Sequence, residues 1–345
     1  MRILLLSDGV PGHVNQAKGL IQHLSEIVYE ANIQIDEKVI TLKYRWMRIL
    51  LRVILNNELV RLYFIIRFAY GNPGINGTYD LIISAGGNTS FLNAELAKNL
   101  NIHNIFIGSL RKLKASLFTV VMTLEPVNVG NNIIMPFAPC LTTLKSTREA
   151  AKNYFGKDED EKIWLMIIGG NGARCEYTED DWQLIADAMK YFSEQFNIKW
   201  LLTTSRRTGL ENEKLLKTKI PSDILEAAVW YNHHPEKVMQ AFLGRASLVF
   251  CTVDSMSMLT ESISSCSQTI AILPGKHHMT KRYMNALDNL KSEQLLSLIN
   301  IEDLKTSINT DCMYLYNNAL MKDKVSQSYQ VLAEELRKYP LFPGE

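Results

Sequence analysis

Short apolar runs alternate with helical patterns along the first part of the chain. The runs have strand length and cover residues 3–6, 39–42, 80–84, 104–107, 118–122 and 133–135. Helical patterns follow the first run to about residue 29 and the third run over 91–100, each after a glycine-containing turn. This order of elements is typical of βαβ units.

The same alternation returns in the second part of the chain. Strand-like runs cover residues 164–168, 200–203, 227–230, 248–251 and 269–273, and helical patterns cover 179–196, 235–243 and 257–265. One face of the helix at 179–196 is apolar and consists of Trp182, Ile185, Ala186, Met189 and Phe192. Strands that alternate with helices of this length predict parallel sheets covered on both faces.

Two such series in 345 residues predict an α/β protein with two Rossmann-like domains whose parallel sheets face a cleft. Residues 136–145 contain two prolines and several polar residues and form the candidate linker. We therefore expect domains over residues 1–140 and 141–345, with the last helix a candidate to pack back on the first domain. Ligands of such sheets bind at the carboxyl ends of the strands.

The composition restricts the classes of function. A net charge of +1 provides no global electrostatic case for nucleic acid binding. The five cysteines form no C-x-x-C pair, so neither a disulfide framework nor a zinc site is expected. The charged run at 157–162 is interpreted as a solvated loop rather than a metal site, and no cofactor is expected. The first apolar run is too short for a secretory signal, which favours a cytoplasmic protein.

Two loops of the first domain carry candidate chemistry. Asp8, Gly12 and His13 lie between the first strand and the first helix, where backbone N–H groups point toward a ligand. Histidine titrates near neutrality, so His13 is the candidate base, with Asp8 to orient or to replace it. Asn88 and Thr89, at the start of the next helix, can hold a phosphate or a sugar hydroxyl. The alternative is that these residues only cap their helices.

Two loops of the second domain carry side chains that suit a phosphorylated ligand, namely Gly170, Asn171, Arg174, Ser205, Arg206 and Arg207. The adjacent Arg206 and Arg207 follow a strand end, where a pair of guanidinium groups suits a diphosphate or a carboxylate. The alternative is a pair of solvated arginines.

The strongest group of candidates follows the run at 248–251 and comprises Thr252, Asp254, Ser255, Ser257, Met258 and Glu261. Ser255 and Ser257 lie at a helix start and offer hydroxyl and N–H groups to phosphates. Glu261 lies one turn after Ser257, where a carboxylate can accept both hydroxyls of a ribose. A buried structural glutamate needs a partner, which favours a role in ligand binding.

Residues 43–68 combine apolar side chains with five arginines and a single acidic residue, Glu58. Basic amphipathic helices of this kind bind anionic membrane surfaces. The arginines recur too often for a transmembrane span. The alternative is a core helix with a cationic outer face. The membrane interpretation places the protein at the inner face of the cell membrane, as a peripheral protein.

These motifs together resemble one family. The motifs are Asp8-Gly9 with Gly12-His13 and Asn15-Gln16, then Ser205-Arg206-Arg207-Thr208, then Asp254-Ser255-x-Ser257-Met258-x-x-Glu261. Their kind and order are similar to those of the mitochondrial-fission-protein-like family of GT-B glycosyltransferases. The resemblance covers nearly the whole chain. The first motif also resembles the first loop of other GT-B transferases, such as the lipid II N-acetylglucosaminyltransferase.

The resemblance implies transfer of a sugar from a nucleotide-sugar donor to a glycan or lipid-linked acceptor, in bacterial surface polysaccharide or lipopolysaccharide synthesis. It implies that the first domain binds the acceptor and the second mainly the donor, with Glu261 at the ribose and 254–257 at the diphosphate. Because no Asp-x-Asp follows a strand, the arginines are expected to stabilise the leaving group without a metal ion. A nucleotide-sugar 2-epimerase and a non-catalytic adaptor of the same fold remain open.

Overall fold

The computed structural model describes residues 1–27, 33–156, 162–308 and 318–341. The chain divides into two compact units: Met1–Leu141 with Ser328–Glu345, and Thr142–Gln327. Each unit is built around a six-stranded parallel sheet. The predicted end of the first helix near residue 29 and most of the charged run at 157–162 lie outside the described residues.

The sheet of the first unit has the strand order β2-β1-β3-β4-β5-β6. Its strands are β1 (Arg2–Ser7), β2 (Gln34–Val39), β3 (Leu81–Ala85), β4 (His103–Ile107), β5 (Val120–Thr123) and β6 (Asn132–Ile134). Leu4 of β1 faces Asp36 of β2 on one side and Ile82 of β3 on the other. The chain therefore reverses its direction of strand addition between β1 and β3, which is where such sheets bind ligands.

The first unit has helices α1 (Pro11–Ile27), α2 (Met47–Asn56), α3 (Tyr63–Ala69) and α4 (Ser90–Leu100). Successive side chains of β1 point to opposite faces of the sheet. Leu4 and Leu6 pack in the core that contains α2, α3 and α4. Ile3 and Leu5 pack in the core that contains α1 and the end of the last helix. The first unit is therefore a three-layer α/β structure.

The sheet of the second unit has the order β10-β9-β7-β11-β12-β14. Its strands are β7 (Ile163–Ile168), β9 (Lys199–Thr204), β10 (Leu225–Val229), β11 (Leu248–Thr252), β12 (Thr269–Leu273) and β14 (Ser297–Asn300), and a separate antiparallel pair joins β8 (Cys175–Glu176) to β13 (Lys276–His277). Strand addition reverses between β7 and β11, which is the strand order of dinucleotide-binding sheets.

The helices of this part are α5 (Leu144–Phe155), α6 (Glu179–Phe196), α7 (Leu210–Lys219), α8 (Met239–Arg245), α9 (Met256–Ser264), α10 (Lys281–Ser292) and α11 (Asn318–Arg337). The five apolar residues predicted for one face of α6 are all buried. Thr178 and Asp181 form a capping box that starts α6 at its predicted first residue. The last helix, α11, belongs to the second unit up to Gln327 and to the first unit from Ser328.

The predicted α/β fold with two parallel Rossmann-like sheets is confirmed, but several element bounds were wrong. The second strand covers Gln34–Val39 instead of 39–42, because β2 is a polar, largely exposed edge strand without an apolar run. Helix α8 begins at Met239 instead of residue 235. Residues 43–68 form two helices, α2 and α3, joined through a turn at Glu58, whose φ is +52°.

Candidate functional site

In the first unit, the loops after β1 and β3 lie side by side because these strands are neighbours. His13 lies in the first turn of α1, and its Nδ1 is 3.1 and 2.9 Å from the two carboxylate oxygens of Asp8. Asp8 is also fixed by the N–H of Val10, which donates to Oδ1 at 3.2 Å. The side chain of Asp8 is 9% exposed and that of His13 is 37% exposed. The carboxylate is thus held within the loop while the imidazole reaches solvent.

The loop after β3 accommodates the imidazole because it contains glycine. A Cβ atom at Gly86, whose φ is +88°, would lie 2.3 Å from Nδ1 of His13. A Cβ atom at Gly87 would lie 1.9 Å from Nε of Arg111. Real Cβ atoms do not approach other atoms this closely, so a larger residue at Gly86 would displace the imidazole and one at Gly87 would displace the guanidinium group. The imidazole and the guanidinium group therefore lie over two consecutive glycines.

Arg111 is a residue of this site that the sequence did not indicate. It lies in a turn with Lys112 in which both have positive φ, +49° and +68°. Burial, and then the charge of Arg48, lowers the pKa of the Arg111 guanidinium from its ordinary value. Arg48, one of the five arginines of 43–68, is half-buried, and its charge acts on Arg111. Nothing in the local sequence distinguishes it from the other arginines of 43–68.

The other first-unit candidates lie at the start of α1 and α4. Gly12 is in the first turn of α1. Thr89 is buried, and its hydroxyl donates to the carbonyls of Ala85 at 3.2 Å and Gly86 at 2.8 Å, so it stabilises the loop. Asn88 is half-buried, and its backbone carbonyl accepts a hydrogen bond from the hydroxyl of Tyr70. Burial raises the pKa of Tyr70 well above its ordinary value, so this hydroxyl stays protonated.

In the second unit, the loops after β7, β9 and β11 are joined by hydrogen bonds around Asp254. Its carboxylate accepts from Nε and Nη2 of Arg207 at 3.0 and 2.6 Å, and from the hydroxyl of Thr252 at 2.7 Å. The same hydroxyl accepts from the N–H of Gly169 at 2.7 Å. Burial raises the pKa of Asp254, while Thr252 and Arg207 oppose that shift. Asp254 therefore acts as the centre that positions three loops.

Glycine again permits the close contact. A Cβ atom at Gly169 would lie 2.1 Å from Oδ1 of Asp254, and one at Gly170, whose φ is +126°, would lie 2.4 Å from the carbonyl oxygen of Arg207. Thr208 donates its hydroxyl to the carbonyl of Gly169 at 2.8 Å, and Ser205 also donates to that carbonyl. The loop after β7 and the turn after β9 are thus packed backbone to backbone.

The remaining second-unit candidates surround this centre or lie further along the loops. The hydroxyls of Ser255 and Ser257 are 3.2 Å apart, and the sulfur of Met258 is 3.9 Å from Nη2 of Arg207. Glu261 is half-buried on α9, one turn after Ser257. The exposed candidates are Asn171, Arg174, Arg206 and Arg207.

Arg206 and Arg207 are not equivalent. Arg207 is paired with the buried Asp254, whose side chain is 0% exposed. Arg206 is exposed and forms no ion pair or hydrogen bond with another described residue. Its positive charge is therefore available to a ligand, whereas that of Arg207 is largely compensated.

Across residues 1–27, 33–156, 162–308 and 318–341, no group of three His, Cys, Asp or Glu side chains is arranged to hold a metal ion. Among the helices described, none is both long enough and apolar enough to cross a bilayer.

The fold and the loops at both switch points define a GT-B class protein. UDP-GlcNAc 2-epimerase from Neisseria meningitidis, bound to UDP-GlcNAc, has a TM-score of 0.53 at 10% identity, covering 98% of this chain and 100% of that one. UGT89C1 from Arabidopsis thaliana, complexed with UDP, has a TM-score of 0.50 at 10% identity, covering 97% and 98%. ADP-heptose lps heptosyltransferase II from E. coli has a TM-score of 0.49 at 11% identity, covering 96% and 99%. At these identities the first two likenesses show the fold alone.

A family profile identifies the particular family. The profile described as Mitochondrial fission ELM1 matches residues 11–313, and the chain belongs to this family. The resemblance found in the sequence motifs is thereby confirmed. No curated protein matches the chain by sequence.

Proposed function

We propose that this protein is a glycosyltransferase that moves a sugar from a nucleotide-sugar donor to a hydroxyl group of a glycan or lipid-linked acceptor. The observation that carries the proposal is the Asp8–His13 pair, with His13 held through Nδ1 at 2.9 Å. An imidazole held by a carboxylate at one nitrogen removes a proton with the other, and the carboxylate stabilises the imidazolium that forms.

In this scheme the first unit binds the acceptor. Nε2 of His13 has no hydrogen-bond partner among the described residues, so it is free to accept the proton of an acceptor hydroxyl. Asp8 keeps Nδ1 protonated and therefore fixes the tautomer in which Nε2 is the base. The Gly86–Gly87 turn leaves room for the imidazole ring, since Gly86 has no Cβ atom to overlap it.

The second unit binds the donor in this scheme. The leaving nucleoside diphosphate gains negative charge, which Arg206 and the N–H groups at the start of α9 stabilise. Arg207 and Asp254 hold the loops that present them. Glu261 accepts the hydroxyls of the ribose, and we propose that the reaction needs no metal ion.

We further propose that the protein acts at the cytoplasmic face of the cell membrane, in surface polysaccharide or lipopolysaccharide synthesis. The support is the outer surface of 43–68, where Trp46 is 65% exposed, Phe64 66% and Phe68 64%. Lys43 lies over the ring of Phe68 at 4.1 Å. Large apolar side chains beside cations are suited to the interface of an anionic bilayer. The inner face of α2 packs in the core instead.

The experiment that tests the function is product analysis with the full-length protein. A thermal-shift screen of nucleotides and nucleotide sugars, including UDP and UDP-GlcNAc, first identifies the donor. Mass spectrometry then follows the donor with and without lipid-extract acceptors. Transfer that depends on the acceptor supports the proposal. Conversion of the donor to its 2-epimer without an acceptor identifies an epimerase, and failure to bind any nucleotide identifies an adaptor.

A further inference from the structure

Arg48 and Arg111 of the first unit have no acidic partner among the described residues, since neither forms an ion pair with any of them. Nε of Arg48 is buried and has no hydrogen-bond acceptor. A buried donor that lacks an acceptor is unfavourable, and charged groups increase the cost. Nε of Arg48 therefore needs an acceptor that the described residues do not supply, and the exposed Arg111 is accessible to a ligand.

The charges of Arg48 and Arg111 both act on the hydroxyl of Tyr70. The two guanidinium groups also repel each other. Among the described residues, Asp8 is the only acidic side chain whose charge acts on Arg111 appreciably. Its carboxylate is already bound to His13. The two positive charges are therefore not balanced by the side chains around them.

The position of these arginines relates them to the base. Arg111 lies over Gly87 and His13 lies over Gly86. The Cα atoms of consecutive residues are about 3.8 Å apart. A group bound by Arg111 thus lies within a few ångströms of the His13 imidazole. In addition, Oδ1 of the next residue, Asn88, is buried without a donor, and a ligand hydroxyl can supply one.

We propose that Arg48 and Arg111 bind a phosphate group of the acceptor, next to the hydroxyl that His13 deprotonates. This inference rests on the proposed function and adds the chemical class of the acceptor. Two guanidinium groups match the charge of a phosphate monoester, whereas a carboxylate needs only one. The ligand offers the anion that the arginines lack and the hydroxyl that His13 deprotonates, and a second hydroxyl of the ligand donates to Oδ1 of Asn88.

The test measures binding of inorganic phosphate to the full-length protein without any donor. Phosphate is titrated while the amide resonances of Gly86, Gly87 and Asn88 are followed by two-dimensional NMR. We expect saturable shifts of these resonances. Acetate at the same concentrations should bind at least about tenfold more weakly, since it carries a single charge. Unmoved resonances, or acetate that binds as tightly as phosphate, overturn the proposal.

Variants locate the site. Arg111→Ala and Arg48→Ala should each weaken phosphate binding roughly tenfold or more, because each removes a charge-assisted hydrogen bond. Lys112→Ala, next to Arg111, and Arg52→Ala, one turn after Arg48, are matched controls that remove a charge and should keep the affinity. Arg111→Lys retains the positive charge but lacks the planar guanidinium group. It provides a second test of the site if Arg48→Ala does not fold. Equal affinity in the Arg111 variants and the controls overturns the proposal.

The two proposals can fail separately. If phosphate does not bind but acceptor-dependent transfer is observed, the protein is a transferase whose acceptor lacks this group. If phosphate binds at Arg48 and Arg111 and no transfer is found with any donor, the anion site stands and the proposed function fails.

Discussion

Arg207 donates from Nε and Nη2 to the same carboxylate oxygen of Asp254, at 3.0 and 2.6 Å. The two residues are 47 positions apart in the sequence and lie at the ends of β9 and β11. Because β7 lies between these strands, the ion pair spans the end of β7 and the loop that follows it. It connects three loops of the second unit.

The first prediction separates the two adjacent arginines. Arg207→Ala leaves the buried Asp254 without its cation and should destabilise the second unit by about 2 kcal/mol, a shift of roughly 4–8 °C in melting temperature. Arg206→Ala should leave the melting temperature unchanged and weaken nucleotide binding about tenfold. Calorimetric melting and titration with UDP or the identified nucleotide measure both effects. Equal melting temperatures for the two variants would show that the ion pair does not stabilise the unit.

The second prediction concerns Glu261 and the ribose. Glu261→Ala should weaken nucleotide binding by roughly 1.5–3 kcal/mol, because the contacts to the ribose hydroxyls are charge-assisted hydrogen bonds. Glu261→Gln keeps the shape and should retain part of the affinity. Titration calorimetry with the nucleotide and its 2′-deoxy form checks the contact, since the deoxy form lacks one of the two hydroxyls and should be less sensitive to the substitution. An unchanged affinity with a lower melting temperature would make Glu261 a structural residue.

The third prediction concerns the base. His13→Ala should lower turnover by about 10²–10⁴-fold and leave donor affinity nearly intact, because the proposed donor site lies in the other unit. Asp8→Asn should also lower turnover, since an amide does not stabilise the imidazolium. Steady-state rates and titration of the donor measure both effects. If His13→Ala keeps most of the activity while Asp8→Asn abolishes it, the carboxylate is the base.

The fourth prediction concerns the membrane surface. The protein should sediment with phosphatidylglycerol vesicles, and less so at high salt. The double variant Phe64→Ser and Phe68→Ser should reduce the bound fraction roughly tenfold, since both rings are exposed. Val331→Ser is a matched control, because Val331 is an exposed apolar residue on α11. Arg48 is unsuitable for this test, since it lies in the site of the first unit. Binding that is equal in all variants would show that 43–68 is ordinary surface.

The fifth prediction concerns metal dependence. Transfer should continue in EDTA, because Arg206 and the helix start supply the positive charge for the leaving group. The measurement is the initial rate in chelator with and without added Mg²⁺ or Mn²⁺. A rate that falls in chelator and returns with the metal would contradict the metal-free mechanism.

Some features of the candidate site follow from local sequence. The Asp8–His13 pair is predictable because five residues across a strand–helix turn bring the side chains together. Helix α6 is predictable to the residue because its apolar period and its Thr178 capping box agree. Strand β2 was placed too late, since an edge strand needs no apolar run. The sequence provided no signal for Arg111, because its neighbour in the site is a glycine 24 positions earlier.

The alternation of apolar runs and helical patterns by itself determined two parallel α/β sheets. The spacing of apolar residues along each strand and helix indicates which side chains must be buried. Only the tertiary structure decided the order of the strands, and with it which loops become neighbours. The reason is physical: contacts such as Arg207 with Asp254, or Arg111 with Gly87, depend on crossovers between distant segments. The identity of a residue does not reveal whether its charge will be paired, as the difference between Arg206 and Arg207 shows.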